Sequence, residues 1–332
     1  MTSLRRNLPG ILLAAVVATA ATILGNALPM VGVPVIALLG GAAIGALARR
    51  SVEEAGIFAP GLALTRKRLL GAAIVLLGLG LPFGSVLTVG RQTAVVLIGT
   101  IVVGAVAAVI IGRMLALEQE SAILVAVGTT ICGASAIAAA TAVIKPDKDR
   151  VAYALGTIFV FNVVAVLVYP PLGHLFGLSQ EAFGLWAGTA INDTSSVLAA
   201  GVIFGPAAAH FAVIVKLVRS LMIVPMCLGL QLARRKAGET MKTPLWRTFP
   251  LFVALFLIAS LIAGLGAVPA SWSAPLGHLS AWLIAAVLAA IGTALTWQHV
   301  RIAGPRPLLF GGAIALILAV TSLALQTTTG WR

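Results

Sequence analysis

Residues 128–140 read GTTICGASAIAAA and residues 188–200 read GTAINDTSSVLAA, and the two stretches match in a single register. Gly128 pairs with Gly188, Thr129 with Thr189, Ile131 with Ile191, Ser135 with Ser195, and Ala139 and Ala140 with Ala199 and Ala200. Each lies inside an apolar stretch, 119–144 or 181–206, that Gly, Thr, Ser, Asn or Asp interrupts. Backbone that leaves the helix at membrane depth needs protein or a watery cavity to partner its N–H and C=O groups. Gly128, Gly133 and Gly188 permit the turn. Thr129, Thr130, Ser135, Thr189, Asn192, Thr194, Ser195 and Ser196 supply short polar groups of the kind that cap helix starts. After each break an apolar helix resumes, near Ala134 and near Ser195. Each resumed helix turns its free N–H groups and positive dipole end toward the break, and two such starts facing each other make an anion site. A single hydroxyl here reads best as packing glue between helices. The repeated pair of motifs reads best as a site.

The rest of the chain places these motifs in a membrane. Of its 332 residues, 60% are hydrophobic and only 9% charged, where a soluble domain carries about 25% charged residues. At roughly 20 apolar residues per crossing, the length allows about ten helical segments. Full crossings are expected at 8–28, 31–48, 69–88, 92–112, 151–175, 208–231, 249–267, 278–297 and 307–327. Residues 51–65 are too short and broken to span and are expected at the cytoplasmic interface. Arg5 and Arg6 precede an apolar run from Leu8 to Leu28 that is too long for a signal-peptide core, so it counts as the first span. The expected fold class is an all-α polytopic membrane protein of about nine to eleven transmembrane helices, with inverted repeats and two discontinuous or re-entrant segments. One transmembrane domain covers 1–332, with core segments over 92–231 and scaffold segments over 8–88 and 249–327.

A net charge of +13 would fit nucleic acid, but the basic residues sit in short clusters between apolar runs, as cytoplasmic loops require. With the N-terminus cytoplasmic and both broken segments re-entrant, Arg5, Arg6, Arg49, Arg50, Arg66, Lys67, Arg68, Arg113, Lys145, Lys148, Arg150, Arg234, Arg235, Lys236, Lys242, Arg247, Arg301 and Arg306 all face the cytoplasm. Arg91 and Arg332 then face outward. Crossing segments would move Lys145, Lys148 and Arg150 outside, so the positive-inside rule prefers hairpins. A second match pairs Gly78 with Gly292, Leu81 with Leu295, Val86 with Val300 and Gly90 with Gly304. In the hairpin topology both matched pairs come out inverted, the arrangement of secondary transporters with a site near the bilayer midplane.

Glu53, Glu54, Glu118, Glu120, Asp147, Asp149, Glu181 and Glu239 fall in loops or at interfaces, whereas Asp193 lies within an apolar segment. A charge at that depth costs about 2.5–3.5 kcal/mol on insertion scales and is commonly functional; the plainer role is a helix cap. Lys216 and Arg219 share one face of the span at 208–231, and Arg219 is too central to reach the interface. Two cations against one carboxylate leave a positive surplus that an anion would neutralise, unless Asp193 and Arg219 form a purely structural pair. Asn162, central in the span at 151–175, is either a ligand or a helix–helix hydrogen bonder. Tyr169-Pro170-Pro171 is expected to end or kink its helix. Cys132 and Cys227 lie in apolar surroundings, which argues against a disulfide framework. No zinc pair, nucleophile triad or phosphate loop stands out, so neither enzyme chemistry nor a cofactor, metal or nucleic-acid partner is expected.

At these residues the chain resembles a known family. The runs ICGASAIAAATAVIKPDKDRVAYALGTIFVFN (131–162), FGLWAGTAINDTSSVLAAG (183–201) and VKLVRSLMIVP (215–225) resemble the YeiH-like bacterial inner-membrane proteins, described as sulfate exporters. That family is distantly grouped with the cation–proton antiporters and bile-acid–sodium symporters. The resemblance implies two discontinuous segments crossing near the midplane and points to Cys132, Gly133, Ser135, Asn162, Asn192, Asp193, Thr194, Ser195, Lys216 and Arg219. Asn192 stands where other members often have His, which removes any proton role of that histidine.

The combined expectation is a secondary active transporter of a small anion, working by alternating access in the export direction in the bacterial inner membrane. Its cargo would be a sulfate- or sulfite-like oxyanion or an organosulfonate. Thr130, Cys132, Gly133, Ser135, Asn162, Asn192, Thr194, Ser195, Lys216 and Arg219 would contact substrate, Asp193 would carry a coupling H⁺ or Na⁺, and a homo-oligomer is compatible with this. The alternatives are a cation-coupled organic-acid carrier, and a channel or non-transporting membrane sensor.

Overall fold

The computed structural model describes residues 2–27, 33–52, 56–236, 251–294 and 305–331. Glu53, Glu54, Glu239, Lys242, Arg247, Leu295, His299, Val300, Arg301, Gly304 and Arg332 lie outside the described residues. All the elements described are helices: α1 (Thr2–Ala27), α2 (Val33–Leu47), α3 (Arg49–Val52), α4 (Ala59–Leu64), α5 (Leu70–Leu79), α6 (Phe83–Met114), α7 (Gln119–Val127), α8 (Ala134–Ile144) and α9 (Lys148–Leu175). They continue with α10 (Gln180–Ala190), α11 (Thr194–Phe204), α12 (Pro206–Ser220), α13 (Ile223–Lys236), α14 (Leu251–Gly264), α15 (Ala270–Gly292) and α16 (Pro305–Thr328). Helix is what an apolar chain must form in lipid, since it satisfies its backbone within each segment. Six of these runs are long and apolar enough to cross a bilayer: Arg6–Gly25, Phe83–Met114, Asp149–Leu175, Pro206–Ala233, Pro275–Gly292 and Pro305–Thr328.

The chain divides into two compact units, Met1–Val86 with Ala254–Thr296, and Leu87–Val253 with Trp297–Arg332. In the first, glycines let helix backbones touch. A Cβ on Gly41 of α2 would lie 2.1 Å from the Ala289 carbonyl oxygen of α15, and one on Gly292 would lie 2.2 Å from that of Leu38. Close approach through small residues drives helix association where lipid competes with apolar side chains. Ser280 Oγ donates to the Ala73 carbonyl over 3.4 Å, the Ser260 hydroxyl to that of Leu81, and Trp282 Nε1 to Thr19 Oγ1 over 3.2 Å.

Several expected boundaries are corrected here. The helix expected at 69–88 runs from Ala59 to Leu79, because α4 passes through a π-helical turn at Thr65–Leu69 straight into α5. Arg66, Lys67 and Arg68 interrupt the apolar pattern but not the helix, so 59–65 is continuous with it. The chain then bends at Gly80–Pro82, and α6 starts at Phe83 rather than 92. The span at 208–231 breaks after Ser220 and resumes at Ile223. Pro225 causes this: it has no N–H to give the Leu221 carbonyl and its ring crowds that oxygen. By contrast, Pro170 and Pro171 do not end α9, which continues to Leu175.

In the second unit, α10 packs on α16. Trp186 Nε1 donates to the Ala319 carbonyl over 3.1 Å, and the Thr189 and Ser322 hydroxyls lie 2.6 Å apart. Thus α16, assigned to the scaffold from sequence, shares a unit with the broken segments.

Candidate functional site

The two interrupted segments are re-entrant hairpins. The first runs in through α7 and a π-helical turn at Gly128–Cys132, breaks at Gly133, and returns through α8. Lys145 in the left-handed region and Pro146 stop α8. At the base, Arg150 gathers both ends: its Nε lies 2.9 Å from Glu118 Oε2, its Nη1 bonds Glu120, and its Nη2 lies 3.7 Å from Asp147. In the second hairpin, α10 runs alongside α12 in the same direction, with Gly184 against Ala208 and Gly188 against Val215. α11 runs back, with Gly201 against Ala209. Gln180 Oε1 closes this base by accepting from the backbone N–H groups of Ala207 at 2.9 Å and Ala208 at 3.3 Å. The resemblance implied crossing helices. Both bases contradict that, and the hairpins read from charge placement are what the chain forms.

α9 joins the two bases. At 1.5 Å per residue its 28 residues extend about 42 Å, so the hairpins approach from its opposite ends and meet along its middle. There Asn162 Oδ1 accepts the Asp193 backbone N–H over 3.1 Å. The tips touch at Gly133, whose φ of 67° and ψ of −132° suit only glycine. A Cβ there would meet that of Asp193 at 3.1 Å.

Lys216 and Arg219, from α12, tie this junction together. Lys216 Nζ donates to the Ile131 carbonyl over 2.8 Å and the Ile191 carbonyl over 2.7 Å. These are the matched isoleucines of the sequence repeat, and each ends an inbound helical run, where the dipole is negative. One buried ammonium thus neutralises two helix ends. Arg219 Nε donates to the Thr130 carbonyl over 2.6 Å. Its Nη1 and Nη2 have no hydrogen-bond partner among the described residues, although the residue is only 1% exposed. Asp193 does not compensate it. That carboxylate caps α11, accepting the Ser195 backbone N–H over 3.0 Å and the Ser195 hydroxyl. The start of α8 has no side-chain cap.

The other expected residues are gathered here in different roles. Thr129, Thr130 and Thr189 turn their hydroxyls back to carbonyls one helical turn earlier, at 2.8, 2.7 and 2.6 Å. Cys132 is buried in the apolar cluster under the first tip. Thr194 is buried, and Ser135 and Ser195 are half-buried. Asn192 is 2% exposed and its Oδ1 has no partner among the described residues. Sequence reasoning did not single out Ser322, which partners Thr189, or Ser220, whose hydroxyl donates to the Lys216 carbonyl over 2.9 Å. Both are ordinary helix serines with no distinguishing local pattern.

A family profile described as Conserved hypothetical protein 698 matches residues 9–311. UPF0324 membrane proteins align over almost the whole length: one from Streptococcus pyogenes at 39% identity, covering 98% of each chain, and one from Clostridium tetani at 35%, covering 97% of each. Another, from Streptococcus agalactiae, is 36% identical over 98% of each chain. The chain belongs to this family. It is thus a UPF0324 membrane protein of the YeiH-like group named from its motifs. No solved structure matches it.

Proposed function

We propose that this UPF0324 protein is a secondary transporter of a small anion, a sulfate- or sulfite-like oxyanion or an organosulfonate. It would export its cargo by alternating access across the bacterial inner membrane, with its N-terminus in the cytoplasm. The observation that carries this reading is Arg219, a buried guanidinium with both terminal nitrogens unpartnered. An uncompensated buried charge costs several kcal/mol, and an oxyanion gripped by the two nitrogens removes that cost.

Local charge supports the same choice. Lys216 is balanced by two negative helix ends and Asp193 by the start of α11, so Arg219 is the cation left over. The uncapped start of α8 adds backbone donors, since the first N–H groups of a helix have no partner within it. Half-helix starts facing substrate beside broken backbone are a recurring transporter design. Asp193, at the contact between the tips, would carry the coupling H⁺ or Na⁺.

The test is flux in reconstituted vesicles. Arg219→Ala should abolish uptake or efflux of sulfite or a sulfonate while the protein still inserts. Unchanged flux refutes the assignment.

A further inference from the structure

The orphaned groups at the tips are of two kinds. Arg219 Nη1 and Nη2 are donors lacking acceptors, and Asn192 Oδ1 is an acceptor lacking a donor. Thr130, which holds Arg219, precedes Ile131, and Asn192 follows Ile191; the carbonyls of those two isoleucines converge on one ammonium, that of Lys216. Arg219, reaching from α12 to the first tip, and Asn192, on the second tip, therefore lie on either side of the Lys216 ammonium. Of the nearby donors, the Asp193 N–H is committed to Asn162, the Ser195 N–H and hydroxyl to the Asp193 carboxylate, and two of the three Lys216 N–H groups to the isoleucine carbonyls; the third makes no hydrogen bond to Asn192 Oδ1. A purely accepting anion would satisfy Arg219 and press its own lone pairs against a carbonyl oxygen.

Building on the anion reading, we propose that the ligand of this site is a small monoanion that brings its own N–H or O–H donor, such as hydrogen sulfite or an amino- or hydroxy-substituted sulfonate. Arg219 holds the anionic oxygens and Asn192 Oδ1 accepts the ligand's donor. Sites built around a substrate hydrogen bond discriminate strongly against analogues that lack it, because a buried partner is then left unpaired.

Sulfamate and methanesulfonate test this directly, being monoanions of similar size that differ in an amino against a methyl group. Their binding to the purified full chain is measured by thermal shift and titration calorimetry. Sulfamate should bind about tenfold tighter, the worth of one buried hydrogen bond. Asn192→Leu should erase that preference by weakening sulfamate alone, and Arg219→Gln should weaken both. Equal binding, or tighter methanesulfonate, overturns the donor requirement and leaves the anion site standing. If neither anion stabilises the wild-type protein, the anion reading falls too. Should Asn192→Leu fail to fold, the wild-type comparison decides alone.

Discussion

The two hairpin tips are built on the same sequence register and finished differently. Ile131 and Ile191 do the same thing, presenting a carbonyl to Lys216. Two residues later the tips diverge: Gly133 leaves the start of α8 uncapped, whereas Asp193 caps the start of α11 with a carboxylate. One tip keeps its electropositive start, and the other neutralises its own. Matched sequence thus built the scaffold, and a single mismatch, glycine against aspartate, set the charge of each side. In the proposed anion site the two facing helix starts therefore differ, and the site is centred on α8 and Arg219.

The shared part should be the most sensitive to change. Lys216→Met strips both tips of their common donor and should cost about 3–5 kcal/mol, as breaking a buried charged contact does, read as a large fall in the melting temperature of detergent-solubilised protein. Gly133→Ala attacks one tip only. A side chain at that φ and against Asp193 should cost about 1–3 kcal/mol, whereas Gly128 has ordinary helical φ and ψ, so alanine there meets only the crowding of Ile137 and Ile158 and should cost less. At the other tip, Asp193→Ala removes a cap and should cost about 1 kcal/mol. Asp193→Asn keeps a capping oxygen and should spare stability while abolishing the dependence of vesicle flux on pH or sodium; a flux that keeps its ion dependence would leave Asp193 as a cap alone. The smallest effect belongs to the hairpin base. Arg150→Ala should cost under about 1 kcal/mol, and less in high salt, because two of its three partners, Glu118 and Asp147, are solvent-exposed.

Much of this arrangement is legible in the sequence. Interrupting glycines and hydroxyls located both breaks, and the Lys145–Arg150 cluster favoured hairpins, because crossing would have put those charges on the wrong side. What stayed hidden was where Lys216 and Arg219 direct their donors. Their partners at Ile131, Ile191 and Thr130 are backbone carbonyls, which every residue carries, so no side-chain pattern announces them. The helix at Ala59–Leu79 was misplaced for a related reason. Arg66, Lys67 and Arg68 lower the apolarity of the window, yet Lys67 and Arg68 are exposed and compatible with helix. The Asp193–Arg219 pairing considered from charge counting fails because a carboxylate two residues from a helix-start N–H finds that partner locally.

The most direct test of the central claim is the thermal shift of purified protein titrated with sulfite or a small sulfonate, wild type beside Arg219→Gln. A buried, unsatisfied guanidinium predicts that the ligand raises the wild-type melting temperature with saturation, and that the variant loses this response while melting no lower without ligand. A variant that still responds like wild type would contradict the account.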